Sequence, residues 1–413
     1  MDEKELTFSG LNTTWMRIFL FTFPLFLFAF SDSLISFYAP VVIQETVGSS
    51  FWMGVIMSFS SFVGLTTDFI FPQILKDITT KRLLVLAGII SSVFYFLLLI
   101  ATIRPFIILF LLGMGLWGIY YEFLAFSKQR FISTQVPRPL HSGATAFVFV
   151  FKGLSYTVGP ILASFLLDNG HQLLLLVAIA ISLTGLFFSL LMSKKQQMLS
   201  RPEAMHLHLG VELSHWAKLF KAVWPMMIIF LLIGLVDAVF WTSGIVLSNN
   251  LGKEDVLGKF IVPLYVMPSM LAGTMIARWH PSDKKKKYGT IFFIVSAVFL
   301  SLIGFTYNIK LVLLLVGISS VFSSLAYPLI DAVFSDFTQR MGKERFHLIG
   351  LTNSAGSIAY IVGPILSGLI ASFVGEQMTF SVIGIFVLLV SLFILFITPR
   401  KILLPQGDIK NWD

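Results

Sequence analysis

Twelve long apolar segments divide this sequence, and each is long enough to cross a lipid bilayer as a helix. A crossing helix needs about 20 mostly apolar residues. In lipid the backbone must satisfy its own hydrogen bonds, which such segments achieve by forming helices. The sequence therefore predicts an all-α membrane protein with twelve transmembrane helices. The first six cover residues 16–43, 51–75, 83–103, 105–127, 141–167 and 172–193, and the second six cover 219–248, 257–279, 288–306, 311–335, 346–374 and 378–398.

The composition agrees with this class and narrows the chemistry. The chain is 56% apolar and 12% charged, whereas soluble domains carry about 25% charged residues. Cysteine is absent, so no disulfide or thiol chemistry is available. The sequence shows no phosphate-binding glycine loop and no paired nucleophile and base. We therefore expect no cofactor, no metal and no enzyme activity.

The basic residues predict the orientation of the chain. With the amino terminus in the cytoplasm, the inner loops and the two ends hold 24 of the 29 Lys and Arg, and the outer loops hold four. Such a bias is typical of cytoplasmic loops. We expect both termini in the cytoplasm and the protein in the plasma or inner membrane. The net charge of +8 indicates contact with membrane lipids rather than with nucleic acid.

A repeated heptapeptide indicates that the chain contains two related halves. Residues 156–162 and 360–366 match at six of seven positions and lie 204 residues apart. Both copies carry a glycine and a proline, Gly159-Pro160 and Gly363-Pro364, within a long apolar segment. Proline kinks a helix, and glycine lets neighbouring backbones come close. We therefore expect a duplicated helix that acts mechanically, where the two halves meet.

The duplication also sets the predicted domain limits. Asp32 and Asp237 lie 205 residues apart, almost the same offset as the two heptapeptides. The sequence predicts two pseudo-symmetric six-helix bundles, residues 1–193 and 219–413, joined by a cytoplasmic linker at 194–218. Parallel repeats of this kind are typical of transporters.

Six ionisable side chains fall inside predicted helices. Insertion of such groups costs several kcal/mol, so they are often retained for function. A carboxylate removed from water binds a proton more tightly, and it can also counter a cationic substrate. The six are Asp32, Asp68, Glu122, Lys152, Asp237 and Asp331.

Structural pairing is the alternative to a functional role for several of these residues. Lys152 can pair with a carboxylate on an adjacent helix. Glu122 and Asp331 lie near the inner membrane face, where loop cations can reach them. Asp32 and Asp237 lie nearer mid-span, with few basic neighbours in sequence. We therefore favour these two aspartates for proton coupling or substrate binding.

The linker carries three histidines, His206, His208 and His215, without acidic or cysteine ligands at a fixed spacing. We expect no metal site there. The sequence instead predicts a short interfacial helix over 212–221, with Trp216 and Phe220 facing lipid.

The architecture, one loop motif and one helix motif resemble the major facilitator superfamily. Residues 73–82, between predicted helices 2 and 3, resemble that family's signature G-x-L-a-D-R-x-G-R-R. Leu75, Asp77, Lys81 and Arg82 match, whereas both glycines are replaced. The resemblance implies that Asp77, Lys81 and Arg82 brace the inward gate.

The first heptapeptide resembles the antiporter signature of helix 5, which ends in G-P-x-x-G-G. Gly159 and Pro160 match this signature, and the final glycines are replaced. The match favours export over import. The signature arginine of helix 4 falls on Leu109, so another group must carry protons if protons drive this protein.

In this family helices 1, 4, 7 and 10 line the central cavity. Four of the carboxylates, Asp32, Glu122, Asp237 and Asp331, fall one on each of these helices. The resemblance implies a cavity completed by nearby aromatic and polar side chains. These are Tyr38, Trp117, Tyr120, Tyr121, Trp241, Tyr327 and Asn353.

These observations predict a secondary active transporter that works by alternating access. The leading hypothesis is proton-coupled export of a lipophilic or cationic small molecule, by a monomer. The first alternative is proton-coupled import of an organic solute or lipid-like molecule. The second is a non-transporting membrane receptor or scaffold that has kept the fold, which would have no reason to retain four cavity carboxylates.

Overall fold

The computed structural model describes residues 8–74, 78–104, 106–137, 140–192, 209–279, 284–341, 345–399 and 401–405. In these ranges the regular secondary structure is helical, with no strand. The first six helices follow the predicted order, joined by short turns. They are α1 (Phe8–Val47), α2 (Ser50–Ile74), α3 (Thr80–Ile103), α4 (Ile107–Gln135), α5 (His141–Asp168) and α6 (His171–Leu191).

The later part of the chain begins with a long composite helix that corresponds to predicted helix 7. α7 (Leu209–Val239) continues through a π-helical turn (Phe240–Gly244) into α8 (Ile245–Glu254). Such π-helical turns inside α-helices are frequent at functional sites. Predicted helices 8 to 12 are α9 (Ile261–Trp279), α10 (Lys285–Leu302), α11 (Ile309–Met341), α12 (Arg345–Val374) and α13 (Glu376–Ile397).

Most of these helices are long and apolar enough to cross a membrane. Among the described residues eleven helical spans meet that requirement, and the composite helix counts as one span, Leu213–Glu254. A shorter apolar helix, Val256–Ala272, covers most of the predicted eighth segment. Several helices run past the predicted limits, as α4 does to Gln135, because a helix can continue from lipid into water without losing its backbone hydrogen bonds.

The chain forms two compact units. The first contains Met1–Val47 and Phe62–Glu203, and the second contains Gly48–Ser61 and Ala204–Asp413. The later division falls inside the predicted linker, but the first turns of α2 group with the second unit. Ser58 of α2 shows the reason, because its hydroxyl donates to the Ile361 carbonyl of α12 at 2.6 Å. The bundle limits 1–193 and 219–413 stay a prediction.

Helix packing follows the same scheme in both units. In the first unit α1 packs against α5 and α6, and α3 packs against α4 and α6. In the second unit α7 packs against α12 and α13, and α10 packs against α11 and α13. Even the turns correspond, because Gly170 before α6 and Gly375 before α13 both have positive φ, at 115° and 82°. Glycine is the residue that adopts this backbone conformation without strain.

The end of the predicted linker differs from expectation. α7 begins at Leu209, so residues 209–218 are part of a helix that continues into the membrane span. Trp216 does not simply face lipid, because its ring lies 3.0 Å from where a side chain at Gly350 of α12 would begin. His215 is buried against His347, with ring centroids 4.7 Å apart. The apolar side of this segment therefore packs on α12 rather than on lipid alone. Phe220 is exposed, as expected.

Candidate functional site

Among the described carboxylates of the first unit, Asp32 of α1 is the most completely buried, at 1% exposed. Its Oδ1 accepts a hydrogen bond from the Trp117 indole at 2.6 Å. Its Oδ2 accepts one from the Tyr121 hydroxyl at 2.8 Å and a second, short one from the Tyr156 hydroxyl. The described residues thus surround this carboxylate with three aromatic donors rather than with a salt-bridge partner. Burying a charge is costly, and hydrogen bonds to the charged group offset part of that cost.

Helix geometry explains how two of these donors reach the same group. Trp117 and Tyr121 are four residues apart on α4, so they lie on the same face of that helix. Their rings contact each other with centroids 5.6 Å apart. Tyr156 comes from α5, which packs along α1. Three helices therefore converge on one carboxylate.

A second layer of polar contacts supports this site. The hydroxyl of Ser31, next to Asp32, lies 3.2 Å from the Tyr95 hydroxyl of α3 and forms a hydrogen bond with it. The Tyr120 hydroxyl donates to the Phe28 carbonyl of α1 at 3.1 Å. Tyr95 and Tyr120 are fully buried. These bonds tie α3 and α4 to the turn of α1 that carries Asp32, and they hold that turn in place.

The second unit repeats this arrangement around Asp237 of α7. Its Oδ1 accepts a hydrogen bond from the Tyr265 hydroxyl of α9 at 2.8 Å. Its Oδ2 accepts a short hydrogen bond from the Tyr360 hydroxyl of α12. Tyr265 is itself held by stacking on Phe240, with centroids 3.7 Å apart. The two aspartates therefore share one chemistry, a carboxylate bound by aromatic hydroxyls.

The π-helical turn that follows Asp237 has its own polar contacts. Within it, Ser243 shares a short hydrogen bond with Ser367 of α12, and Thr242 donates to Ser367 at 3.4 Å. Trp241, predicted to line the cavity, lies in this same turn and is partly buried. The irregular turn thus joins α7 to α12 one helical turn beyond the aspartate.

The glycines of the heptapeptides lie against the residues that follow the aspartates. A side chain at Gly159 would overlap the Ser33 side chain of α1. One at Gly363 would lie 2.6 Å from the Cβ of Ala238 in α7. Both glycines pack against a helix of their own unit, and the expected role of these motifs where the two halves meet stays a prediction. Only a glycine lets α5 and α12 approach α1 and α7 this closely. Pro160 is buried beside Gly159.

Pro364 lies in a second close contact of α12. Its carbonyl occupies the place where a side chain at Gly54 of α2 would begin. Further along α12, Gly368 is in similar contact with the Ser50 backbone. Both α2 residues belong to the second unit. α12 therefore has small residues on two faces, toward α7 and toward the first turns of α2.

The other predicted charges lie on α2, α4, α5 and α11. Glu122 of α4 is partly buried, with Oε1 3.4 Å from the place of a side chain at Gly64. Lys152 of α5 is exposed, and its Nζ lies 5.5 Å from the Tyr156 ring centroid, close enough to act electrostatically on Asp32. Asp331 of α11 is exposed. The side chain of Asp68 lies outside the described residues.

The predicted cavity-lining residues divide into those that join a carboxylate and those that do not. Trp117 and Tyr121 bind Asp32 directly, as described above. Tyr38 is buried against His171 at the start of α6, with ring centroids 5.7 Å apart. Tyr327 is 49% exposed and contacts Phe230 with ring centroids 6.0 Å apart. Asn353 is exposed on α12.

The predicted gate residues are only partly covered by the structure. Asp77 lies outside the described residues. Lys81, at the start of α3, donates to the carbonyls of Leu190 and Met192 at 2.5 and 2.7 Å, where α6 ends. Arg82 is exposed. In the described structure Lys81 therefore caps a helix of its own unit, which satisfies carbonyls that lack intrahelical partners.

Sequence reasoning missed three of the five donors, Tyr156, Tyr265 and Tyr360. Two of them had a clear signal, because Tyr156 and Tyr360 are the first residues of the repeated heptapeptide. Their distance from the aspartates along the chain, 124 and 123 residues, hid the pairing. Tyr265 had no comparable signal, because no matching residue was recognised in the first half.

Comparison with known proteins assigns the family. The sequence profile described as Major Facilitator Superfamily matches residues 21–307 and 258–410. The chain belongs to the major facilitator superfamily. This membership confirms the family and the fold class expected from the sequence. A search of curated proteins found no match.

Solved structures of major facilitator transporters share this fold at low sequence identity. The human organic anion transporter MFSD10 (TETRAN) is 14% identical, with a TM-score of 0.65 over 92% of this chain and 98% of that one. A POT family transporter in complex with 5-aminolevulinic acid is 13% identical, with a TM-score of 0.71 over 93% and 96%. The nucleoside transporter NupG is 13% identical, with a TM-score of 0.68 over 92% and 100%. The chain is thus a multi-pass membrane protein with a transporter fold.

Proposed function

We propose that this protein is a proton-coupled secondary transporter that exports a lipophilic or cationic small molecule by alternating access. The observation that carries the proposal is the buried Asp32, held by three aromatic donors and matched by Asp237 in the second unit. Among the described residues no cation forms a salt bridge with Asp32, and a buried carboxylate in this setting is suited to bind and release a proton. Membrane-embedded carboxylates commonly serve in proton relays of transporters.

The residues around the aspartates support the proposed substrate class. Trp117, Tyr121 and Tyr156 present aromatic rings beside a negative charge. Aromatic faces attract organic cations, and their apolar area favours lipophilic molecules. The same groups favour a cation when Asp32 is ionised and release it when Asp32 is protonated. Opposite responses to the proton and the substrate are what an exchanger requires.

The proposed direction rests on the Gly-Pro helices. Gly159-Pro160 and Gly363-Pro364 resemble the antiporter signature, and both glycines pack against the helix that carries an aspartate. Protons entering the cell would then drive the substrate outward. We also propose a monomer in the plasma or inner membrane with both termini in the cytoplasm.

The structural relatives suggest the competing substrates for a test. MFSD10 is described as an organic anion transporter and NupG as a nucleoside transporter. Thermal stabilisation of purified protein should be measured with tetraphenylphosphonium, tetraphenylborate and uridine. The first two have nearly the same shape and opposite charge. We expect stabilisation by tetraphenylphosphonium, stronger at alkaline than at acidic pH. Stabilisation by tetraphenylborate or uridine alone would contradict the proposed substrate class.

Transport itself should be measured in proteoliposomes that contain a pH-sensitive dye. Addition of ethidium to one side should drive protons to that side, and an imposed proton gradient should drive ethidium in the opposite direction. Movement of ethidium and protons in the same direction would instead support import. Ethidium flux that is indifferent to the proton gradient would remove proton coupling.

A further inference from the structure

The two heptapeptides place a tyrosine, a glycine and a proline in one fixed relation to each aspartate. On α5, Tyr156 binds Asp32, and Gly159, one turn later, packs on Ser33. On α12, Tyr360 binds Asp237, and Gly363 packs on Ala238. In each unit a close backbone approach therefore brings the tyrosine hydroxyl to the carboxylate. In the proposed function, such a contact would have a role if it made the packing of the two helices depend on the protonation of the aspartate.

The proline weakens the same turn that carries the tyrosine. A proline has no backbone N–H, so it cannot donate to the carbonyl four residues earlier. Pro160 therefore leaves the carbonyl of Tyr156 without its usual intrahelical donor, and Pro364 does the same to Tyr360. The helix can bend at this point at lower cost than elsewhere. The residue that binds the aspartate thus lies at the hinge of its helix.

Hydrogen-bond chemistry determines which oxygen of Asp32 can take a proton. The indole of Trp117 is a donor only, so Oδ1 must remain an acceptor. A tyrosine hydroxyl can either donate or accept. The carbonyl oxygen of a carboxylic acid is a better acceptor than its hydroxyl oxygen, and a tyrosine can accept the new O–H, so a proton on Asp32 is favoured at Oδ2, the oxygen bound by Tyr121 and Tyr156. Protonation of Oδ2 therefore changes the hydrogen bond between Asp32 and Tyr156 of α5, and it leaves the hydrogen bond from Trp117 in place.

Protonation also weakens that bond. A hydrogen bond to an ionised carboxylate is roughly twice as strong as one between neutral groups. We propose that the Tyr156–Asp32 bond is a charge-sensitive link that holds α5 against α1 while Asp32 is ionised and loosens when Oδ2 is protonated. The Tyr360–Asp237 bond is the equivalent link between α12 and α7. Tyr156 and Tyr360 are positioning residues, and the inference rests on the proton coupling proposed above.

Other titratable groups surround both links. Around Asp32 they are Lys152 of α5, Tyr95 of α3, and Tyr120 and Tyr121 of α4. Around Asp237 the corresponding groups are Tyr265 of α9, and Tyr327 of α11 with its neighbour Asp331. At Asp237 the two tyrosines bind different oxygens, whereas at Asp32 the two tyrosines share Oδ2.

The link can be tested without transport, by measuring how closely α1 and α5 approach each other. Because the chain contains no cysteine, spin labels can be placed at cysteines introduced for Met16 of α1 and Val150 of α5, which are both exposed. Dipolar broadening should show a close population at alkaline pH and a more separated one at acidic pH. We expect the ratio of the two populations to change by on the order of tenfold, as when a hydrogen bond loses its ionic partner.

Two tyrosine variants distinguish a pH-dependent contact between α5 and α1 from a hydrogen bond that only stabilises the carboxylate. Tyr156→Phe removes the donor on α5, and Tyr121→Phe removes a donor to the same oxygen from α4. Tyr156→Phe should abolish the pH response, whereas Tyr121→Phe should retain it. Asp32→Asn cuts the same link from α1 and should also abolish the response. In the second unit, labels at Phe220 and Ile349 allow the same comparison of Tyr360→Phe with Tyr265→Phe.

The outcomes distinguish this inference from the proposed function. An unchanged pH response in Tyr156→Phe overturns the link, and so does an equal loss in Tyr121→Phe and Tyr156→Phe. A pH response that depends on Tyr156 in a protein that shows no proton-driven flux would uphold the link and contradict the proposed function. Proton-driven flux at the wild-type rate in Tyr156→Phe would overturn the link and uphold the proposed function.

Discussion

At the scale of the residue, Asp32 and Asp237, which the sequence singled out, have environments that are defined by their aromatic neighbours. Asp32 has three aromatic donors and is almost fully buried, whereas Asp237 has two described tyrosine donors and is partly buried. The exposed Asp331 lacks this environment. A proton that binds at Asp32 therefore changes more hydrogen bonds than one that binds at Asp331. The difference makes Asp331 a suitable control.

Asp32→Asn should uncouple substrate movement from the proton gradient. The amide resembles the protonated carboxyl in shape and charge, so substrate binding should lose most of its pH dependence. Gradient-driven ethidium flux should fall by about 100-fold or more, since a positioned proton-transfer group typically contributes 10²–10⁴-fold. Ethidium counterflow should persist. Both fluxes are measured in proteoliposomes.

Asp331→Asn is the control for this experiment, because it removes an exposed carboxylate from α11. It should retain gradient-driven flux. Wild-type pH dependence in Asp32→Asn would exclude Asp32 from coupling and move the assignment to Asp237.

At the scale of the element, the pairs α1–α5 and α7–α12 both include small residues and short polar contacts, and α1 and α5 also share aromatic contacts such as Phe26 with Phe151. α12 provides a direct comparison between two of its glycines. Gly363 faces the Cβ of Ala238, whereas a side chain at Gly356 would meet nothing within 4 Å. The same helix thus contains one glycine that packing requires and one that packing does not require.

Gly363→Ala should destabilise the protein, and Gly356→Ala should not. The added methyl group at 363 forces α12 away from α7, at a cost of about 1–3 kcal/mol typical of overpacking. The change at 356 replaces a glycine within a helix and should be neutral or stabilising by up to about 1 kcal/mol. Thermal unfolding in detergent measures both.

The double variant Gly363→Ala with Ala238→Gly tests the cause. It removes the methyl group that the new side chain would meet, so it should recover much of the lost stability. Equal stability of the two single variants would show that the close approach of α12 to α7 is unimportant.

At the scale of the whole molecule, the two units share an order of helices, a scheme of packing and a set of repeated contacts. Lys81 caps the end of α6, and Lys286, 205 residues later, makes a short hydrogen bond to the carbonyl of Pro399 just after α13. The repetition thus extends from the aspartates to the ends of the helices. The orientation of the chain in the membrane stays a prediction from the basic loops.

The orientation can be tested with single cysteines in the cysteine-free chain. Tyr307 is 98% exposed in a predicted outer loop, and Lys284 is exposed in a predicted inner loop. An impermeant thiol reagent added to intact cells should label a cysteine at 307 and spare one at 284. After permeabilisation both should react. Labelling of position 284 in intact cells would contradict the predicted topology.

The sequence by itself determined the helical class, the number of apolar segments, the duplication and the two mid-span aspartates. These features follow from local composition and from the spacing of repeats, because lipid requires each long apolar segment to be a helix. Family membership confirmed the fold class. The family resemblance also brought Trp117 and Tyr121 onto the list of cavity residues.

Only the tertiary structure decided which groups bind the aspartates. Tyr156 and Tyr360 lie more than a hundred residues from their partners, and helix packing alone brings them together. The same packing placed Gly159 and Gly363 inside their own units and Trp216 against Gly350. Helix periodicity determines which residues share a face of one helix. Close packing between helices determines which other helix lies against that face. The pairing of a tyrosine with an aspartate therefore belongs to the fold rather than to either segment.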